Sequence, residues 1–244
     1  MTTTRRPVAR WYFSLRSPYS WLAHRQLTDR HPEVAAAVEW RPFWEPDARS
    51  AALLAERGGT FPYTPMSKDK HLYILQDVRR LARQAGVEPA WPIDRDPVWE
   101  VPHLAYLAAS DADLGPRFIS RAYQLRWEEG ENICDPAVMA QLAVELGLPP
   151  DRFACAAEDE ELRARGVEAL LDVDRDGVFG VPFFVHRREK FWGLDRLDAF
   201  VRSVTGSAGD ASPAVRTELG RAEAGPVRVV LGTGGDQGHA GGCG

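Results

Sequence analysis

The sequence predicts an α/β chain whose strands lie near its two ends, with an all-helical stretch between them. Three observations carry that reading. The apolar run Val8-Ala9-Arg10-Trp11-Tyr12-Phe13 leads through a short turn into a helix-like run, and a second alternating run follows from Ala37 to Trp44. Residues 67 to 171 show helical spacing and helix caps. Beyond them, Val181-Pro182-Phe183-Phe184-Val185 returns to strand. A strand, helix, strand order implies a parallel pair with a right-handed crossover.

In chain order, residues 8–14 read as a buried strand and 18–30 as the helix after it. Val38 and Trp40 alternate with Glu39 and Arg41, a period-two pattern that marks a strand over residues 37–44. A short helical stretch runs to Arg57, and Gly58 to Pro65 carries the glycines and prolines of irregular chain. Ser67 to Ala85 is a long helix, with Leu72, Leu75, Val78, Leu81 and Ala82 as its apolar stripe and Gly86 as its stop. Residues 89–102 form an irregular aromatic segment, and helices follow over His103–Ser110 and Pro116–Glu128. Asp135-Pro136 caps a helix ended by Gly147, Asp151 starts another, and Leu162–Leu171 continues it or forms the next. A strand from Lys190 turns at Gly193-Leu194-Asp195 into a last helix ending near Gly206. The expected division is 8–60 with 172–206 as the strand-bearing domain, 61–171 as the inserted helical domain, and 207–244 as a flexible glycine-rich tail.

The site candidate is the junction Arg16-Ser17-Pro18-Tyr19-Ser20. The first turn of a helix has backbone N–H groups without intrahelical partners and a partial positive charge, so a hydroxyl there helps to hold an anion such as a thiolate. Serine at the N-cap with proline after it is also what a plain helix start selects.

The segment from Tyr12 to Ala23 resembles the amino-terminal motif of 2-hydroxychromene-2-carboxylate isomerases and kappa-class glutathione transferases, thioredoxin-fold proteins of the DsbA type with an inserted helical domain. The pattern Lys70, Tyr73, Asp77, Arg80, Ala82 is similar to the first inserted helix of the isomerases, and Ala122 through Gly147 also resembles that family. Where the redox relatives carry Cys-Pro-x-Cys, this chain reads Ser17-Pro18-Tyr19-Ser20, so the thiol pair of a disulfide oxidoreductase is absent. The resemblance implies a cis peptide at Pro182 and a thiol cofactor held by Val181, Pro182, Leu194 and Asp195, with Ser17 as the catalytic hydroxyl. It implies aromatic substrate walls at Tyr19, Trp44, Trp91 and Trp99. The only asparagine, Asn132, lies outside the segment where relatives contact glutathione, and Leu194 replaces a usual polar residue. The expected cofactor is therefore glutathione or another low-molecular-weight thiol. The expected activity is isomerisation of an aromatic-derived electrophile, with a kappa-type transferase or peroxidase, or a redox-inactive binding protein, as alternatives.

Composition narrows the partners. A net charge of −5 without a basic patch argues against nucleic acid and anionic membranes, and the apolar runs are too short to cross a bilayer. Cys134, Cys155 and Cys243 are odd in number and widely spaced, which suits a reducing, cytoplasmic setting. A homodimer follows from the family habit alone. The loop Asp172-x-Asp174-x-Asp176-Gly177 opens like a calcium site, but its twelfth position is Phe183, and His24, His31, His71, His103, His186 and His239 fall at no zinc-like spacing, so no metal is expected.

Overall fold

The computed structural model describes residues 8–62 and 66–206. The expected tail, with Cys243, lies outside the described residues. Four strands form one mixed sheet in the order β2-β1-β3-β4. Strand β1 (Arg10–Phe13) leads into α1 (Pro18–Arg30), and the crossover closes with β2 (Glu39–Pro42), which pairs parallel to β1 with Trp11 beside Trp40. A short helix α2 (Pro32–Ala37), not expected from the sequence, precedes the second strand and overlaps its expected span only at Ala37. Pro32 at its first position and the run Ala35-Ala36-Ala37 favour that turn locally.

Helices α3 (Ala48–Glu56), α4 (Lys68–Gln84), α5 (Glu100–Ser110), α6 (Gly115–Gln124), α7 (Pro136–Glu145), α8 (Pro150–Ala154) and α9 (Glu160–Arg175) intervene before the sheet resumes. It resumes as β3 (Phe183–His186), antiparallel to β1, and β4 (Glu189–Trp192), antiparallel to β3. A single 3₁₀ turn then leads into α10 (Leu197–Thr205). The sheet alternates between two apolar clusters. Trp11, Phe13 and Phe184 belong to the larger one with Trp21, Leu27 and Phe200, whereas Tyr12, Phe183 and Val185 belong to a smaller one with Phe43, Val173 and Val178. Burial on both faces explains why β3 reads as a continuous apolar run. Each such side chain, fully buried, contributes about 1.5–3 kcal/mol.

Three helices depart from expectation. In α4 the buried stripe is Ile74, Val78 and Ala82, while Leu72 is exposed. Both stripes satisfy a helical period, and only docking of α4 against its neighbours decides between them. Helix α5 begins at Glu100, with Pro102 in its first turn, where a missing N–H costs nothing. The expected helix 116–128 ends in a π turn, Leu125–Glu129, in which Leu125, Arg126 and Trp127 are all buried. Three successive inward side chains exceed what a 3.6-residue period offers one face, and the wider π turn provides them.

The aspartates that resemble a calcium loop have other partners. Asp176 accepts both Arg10 nitrogens at 2.7 and 3.1 Å and the Tyr12 hydroxyl at 2.6 Å, while Asp172 takes Arg41 and Arg175. Asp176 thereby ties the end of α9 to β1. The Asp176→Ala variant leaves the buried Tyr12 hydroxyl only its longer bond to the Asp172 carbonyl at 3.3 Å and leaves Arg10 without its carboxylate. It is expected to lose about 1–3 kcal/mol of unfolding free energy, read from the urea midpoint.

Candidate active site

The start of α1 is built from local chemistry. Ser17 has an extended backbone (φ −84°, ψ 120°), its oxygen accepts the Ser20 N–H at 3.2 Å, and Pro18 follows at the first helical position. The turn before it is buried, and its backbone groups find side-chain partners. Leu15 N–H donates to His103 Nε2 at 3.1 Å, Arg16 N–H to the Ser14 hydroxyl at 3.3 Å, and the Tyr123 hydroxyl to the Ser14 carbonyl at 3.0 Å. His103 Nδ1 lies 2.7 Å from the Trp99 carbonyl, which requires a proton on Nδ1 and leaves Nε2 as the acceptor. Trp44 stacks on the same imidazole at 5.3 Å and donates its indole N–H to Glu100.

Two cavities meet at Tyr19. The first, about 420 Å³, is lined by Tyr19, Leu81, Val181, Pro182, Trp192 and Leu194, with Asp77, Asp195 and Asp198 supplying its charge. The Val181–Pro182 peptide is cis, and the β1–β3 ladder begins only at Phe183, so Val181 lies outside the paired strand. The second cavity, about 340 Å³, has Trp91, Trp127, Pro92 and Ile74 as apolar walls and Arg16 and Arg126 as its cations. Tyr19 stands between them, its hydroxyl donating to Asp77 Oδ2 at 2.8 Å while Arg80 donates to the other carboxylate oxygen at 2.9 Å.

Of the residues singled out from sequence, Tyr19, Val181, Pro182, Leu194 and Asp195 share the first cavity, and Tyr19 and Trp91 share the second. Ser17 is fully buried beneath this junction and lines neither cavity, although Pro18 and Tyr19 beside it do. Trp44 and Trp99 are core residues: Trp44 holds His103, and Trp99 lies under the guanidinium of Arg126. Sequence reasoning placed Arg16 at the site junction without a role, and missed Arg126, Asp94 and Trp127. A guanidinium and a carboxylate 32 positions apart leave no periodic trace, and the acidic and basic pattern of residues 94–95 reads as ordinary surface. Cys134 is buried, and burial pushes its thiol up to about 12, while Cys155 is exposed; neither lines the two cavities.

A mixed sheet with a cis proline before β3, sharing a cavity with the first turn of α1, defines a thioredoxin-like protein. Residues 10–205 match the DSBA-like thioredoxin domain, and the chain belongs to that family. It is 28% identical over 189 residues to 2-hydroxychromene-2-carboxylate isomerase from Sphingobium xenophagum, covering 77% of this chain and 93% of that protein. A solved structure of a 2-hydroxychromene-2-carboxylate isomerase superimposes with a TM-score of 0.63 at 21% identity, over 81% of this chain and 94% of the other. The cytosolic disulfide reductase DsbM from Pseudomonas aeruginosa, solved with GSH, gives 0.53 at 21% identity over 81% and 97%.

The histidines bracing this region give a pH signature. Burial pushes His103 down to about 3 and His24 down to about 4, so both are neutral in the folded protein at pH 7. Unfolded histidine titrates near 6.5, and the unfolded chain then binds more protons below that pH. This contribution is present in full above pH 6.5 and is lost as pH falls toward the folded values, by about 1.4 kcal/mol per pH unit for each histidine. Urea unfolding between pH 7 and 5 should show the decline, and His24→Gln should flatten it; a level wild-type curve contradicts the neutral state.

Proposed function

We propose that this protein is a thiol-dependent isomerase of the 2-hydroxychromene-2-carboxylate isomerase type, acting on an aromatic-derived electrophile. The observation that carries the reading is the meeting of two unlike cavities at Tyr19, over a helix start that holds serine where the redox members of the fold hold cysteine. The GSH in the DsbM structure supports a thiol as the bound group, and the name of the isomerase relative supports the reaction type.

A small thiol fits the cis-proline cavity. Its volume lies within the range of small-ligand pockets, and Leu81, Val181, Pro182 and Leu194 give it an apolar floor. Val181 offers its main chain to an extended peptide-like molecule, as an added strand would be received. Asp195 lies in the 3₁₀ turn ahead of α10, so its carboxylate faces the cofactor's ammonium end better than a carboxylate end. When bound, the thiol supplies a nucleophilic sulfur that adds to the conjugated substrate and leaves again after bond rotation.

The chain's own residues prepare that chemistry. The Ser17 oxygen accepts the Ser20 N–H and keeps its own proton to donate as a hydrogen bond to a sulfur, which reaches the buried Ser17 only when Pro18 and Tyr19 above it shift aside. Together with the partial positive charge of the helix start, this hydroxyl favours thiolate over thiol. Trp91 and Trp127, whose rings meet edge to face at 6.0 Å, wall the aromatic substrate and exclude water around it. Serine in this arrangement activates a nucleophile without becoming one.

A second reading, a redox-inactive binding protein, is favoured by the exposed rings of Phe179, in the segment before β3, and Trp192, which ends the edge strand β4 and lines the cis-proline cavity; the two rings meet at 5.0 Å. Calorimetric titration with glutathione, cysteine and coenzyme A separates the two, alongside a spectrophotometric assay of 2-hydroxychromene-2-carboxylate with and without thiol. The isomerase reading expects saturable binding of one thiol, weakened about tenfold in Ser17→Ala, with turnover that requires that thiol. The same variant is expected to lose about 1 kcal/mol of stability through the missing cap. Failure of every thiol to bind sinks the mechanism and leaves the binding protein, whereas broad conjugation of electrophiles identifies a kappa-type transferase.

A further inference from the structure

The aromatic cavity contains a charge that its apolar walls do not explain. Arg126 sits in the π turn with its side chain only 3% exposed, and its guanidinium carbon lies 4.9 Å from the ring centroids of both Trp99 and Trp127. Its forked nitrogens donate to Asp94 Oδ1 and Oδ2 at 2.9 and 2.8 Å, and its Nε is buried without a hydrogen-bond partner among the described residues. A guanidinium keeps its charge at any working pH and presents five donors, of which the bidentate pair uses two. Such a cation, flanked by two indoles, requires an anion in its fork.

Asp94 supplies that anion from the weakest part of the cavity wall. It belongs to the irregular segment between α4 and α5, next to Ile93, which is 77% exposed, so withdrawing Asp94 breaks no helix or strand. Arg126 cannot withdraw in the same way, because the π turn directs it inward beside Trp127. Both residues line the cavity in which Trp91 and Trp127 form flat apolar walls, and Arg16 adds a second cation across it. The geometry therefore matches a planar molecule with an aromatic body and one carboxylate.

We propose that Arg126 is the anchor for the carboxylate of an aromatic acid in this cavity, and that Asp94 holds the guanidinium fork as an internal stand-in until the ligand's carboxylate displaces it. The proposal rests on the assignment of this cavity to the substrate, and it adds the residue that selects an acid over its neutral analogue.

The test uses 2-hydroxycinnamate and its methyl ester, titrated calorimetrically into the full chain, Asp94→Asn and Arg126→Gln. The wild type should bind the acid about tenfold more tightly than the ester, because only the acid replaces the charge-assisted pair. In Asp94→Asn the stand-in is neutral, so the acid should bind about tenfold more tightly than in the wild type while the ester is unchanged. Arg126→Gln should abolish the preference for the acid. If that variant does not fold, the Asp94→Asn titration decides alone. Equal binding of acid and ester by the wild type overturns the proposal. So does an Asp94→Asn variant that binds the acid no better, which makes the ion pair a structural one. Thiol titration of the same preparations keeps the two readings apart: acid selectivity without thiol binding sinks the isomerase mechanism only, and thiol binding without acid selectivity sinks only the anchor.

Discussion

The hydrogen bond from Leu15 N–H to His103 Nε2 is the constraint on which the site depends. Ser14, Leu15 and Ser17 are buried, and a buried turn must find a partner for every backbone polar group. The turn between β1 and α1 is too short to satisfy itself. It borrows an imidazole from α5 and a phenol from α6, both of which enter the chain long after the turn they support. The helical stretch between the strands is thus part of the machinery that fixes where α1 begins. The tautomer of His103 is in turn set by the Trp99 carbonyl and its ring plane is held by the stacked face of Trp44, so three aromatic core residues act at the site without lining either cavity.

Tyr19 then divides the space above this junction by charge. On one side are Asp77, Asp195 and Asp198; on the other are Arg16 and Arg126, the latter with Asp94 in its fork. The Tyr19–Asp77–Arg80 chain holds the dividing side chain by its hydroxyl, and Arg16 is anchored by Glu45 at 3.1 Å with Trp99 under its guanidinium. The carboxylates of the first chamber and the guanidinium groups of the second differ in what they attract, and such a difference discriminates between ligands most strongly in a partly desolvated space.

What was legible in the sequence is what short-range chemistry decides. Ser17, Ser67 and Asp135 each cap the helix that follows and have side chains suited to that position, whereas the helix expected from Asp151 starts at Pro150 and the cap of α9, Asp159, was not singled out. The cis peptide before Phe183 was legible only through resemblance, since most X–Pro bonds in folded proteins are trans. The π turn at Leu125–Glu129 was hidden because Leu125, Arg126 and Trp127 continue the pattern of α6 in composition and break it only in geometry. The Arg126–Asp94 pair and the placement of Trp44 in the core depend on which elements dock, and no local pattern encodes that. Sequence therefore located the helix start and the proline loop facing it, whereas the charged half of the site emerged only from tertiary packing.

The exchange of a cysteine pair for Ser17 and Ser20 bears on which reactions the frame can support. Thiol–disulfide exchange needs a thiolate in the chain and a second thiol to resolve the mixed disulfide. The cavities here are lined by no cysteine, and the thiol of Cys134 is held protonated by burial. Isomerisation places no such demand, because substrate and product carry the same electrons and the sulfur that adds is the sulfur that leaves. The helix start keeps its field and its hydroxyl, and under the isomerase reading these act on a thiolate that arrives from outside the chain. A frame that loses its own sulfur while keeping the surroundings that stabilise sulfur is suited to borrowing it. The cost of borrowing is a second chamber beside the first, and the division at Tyr19 provides it.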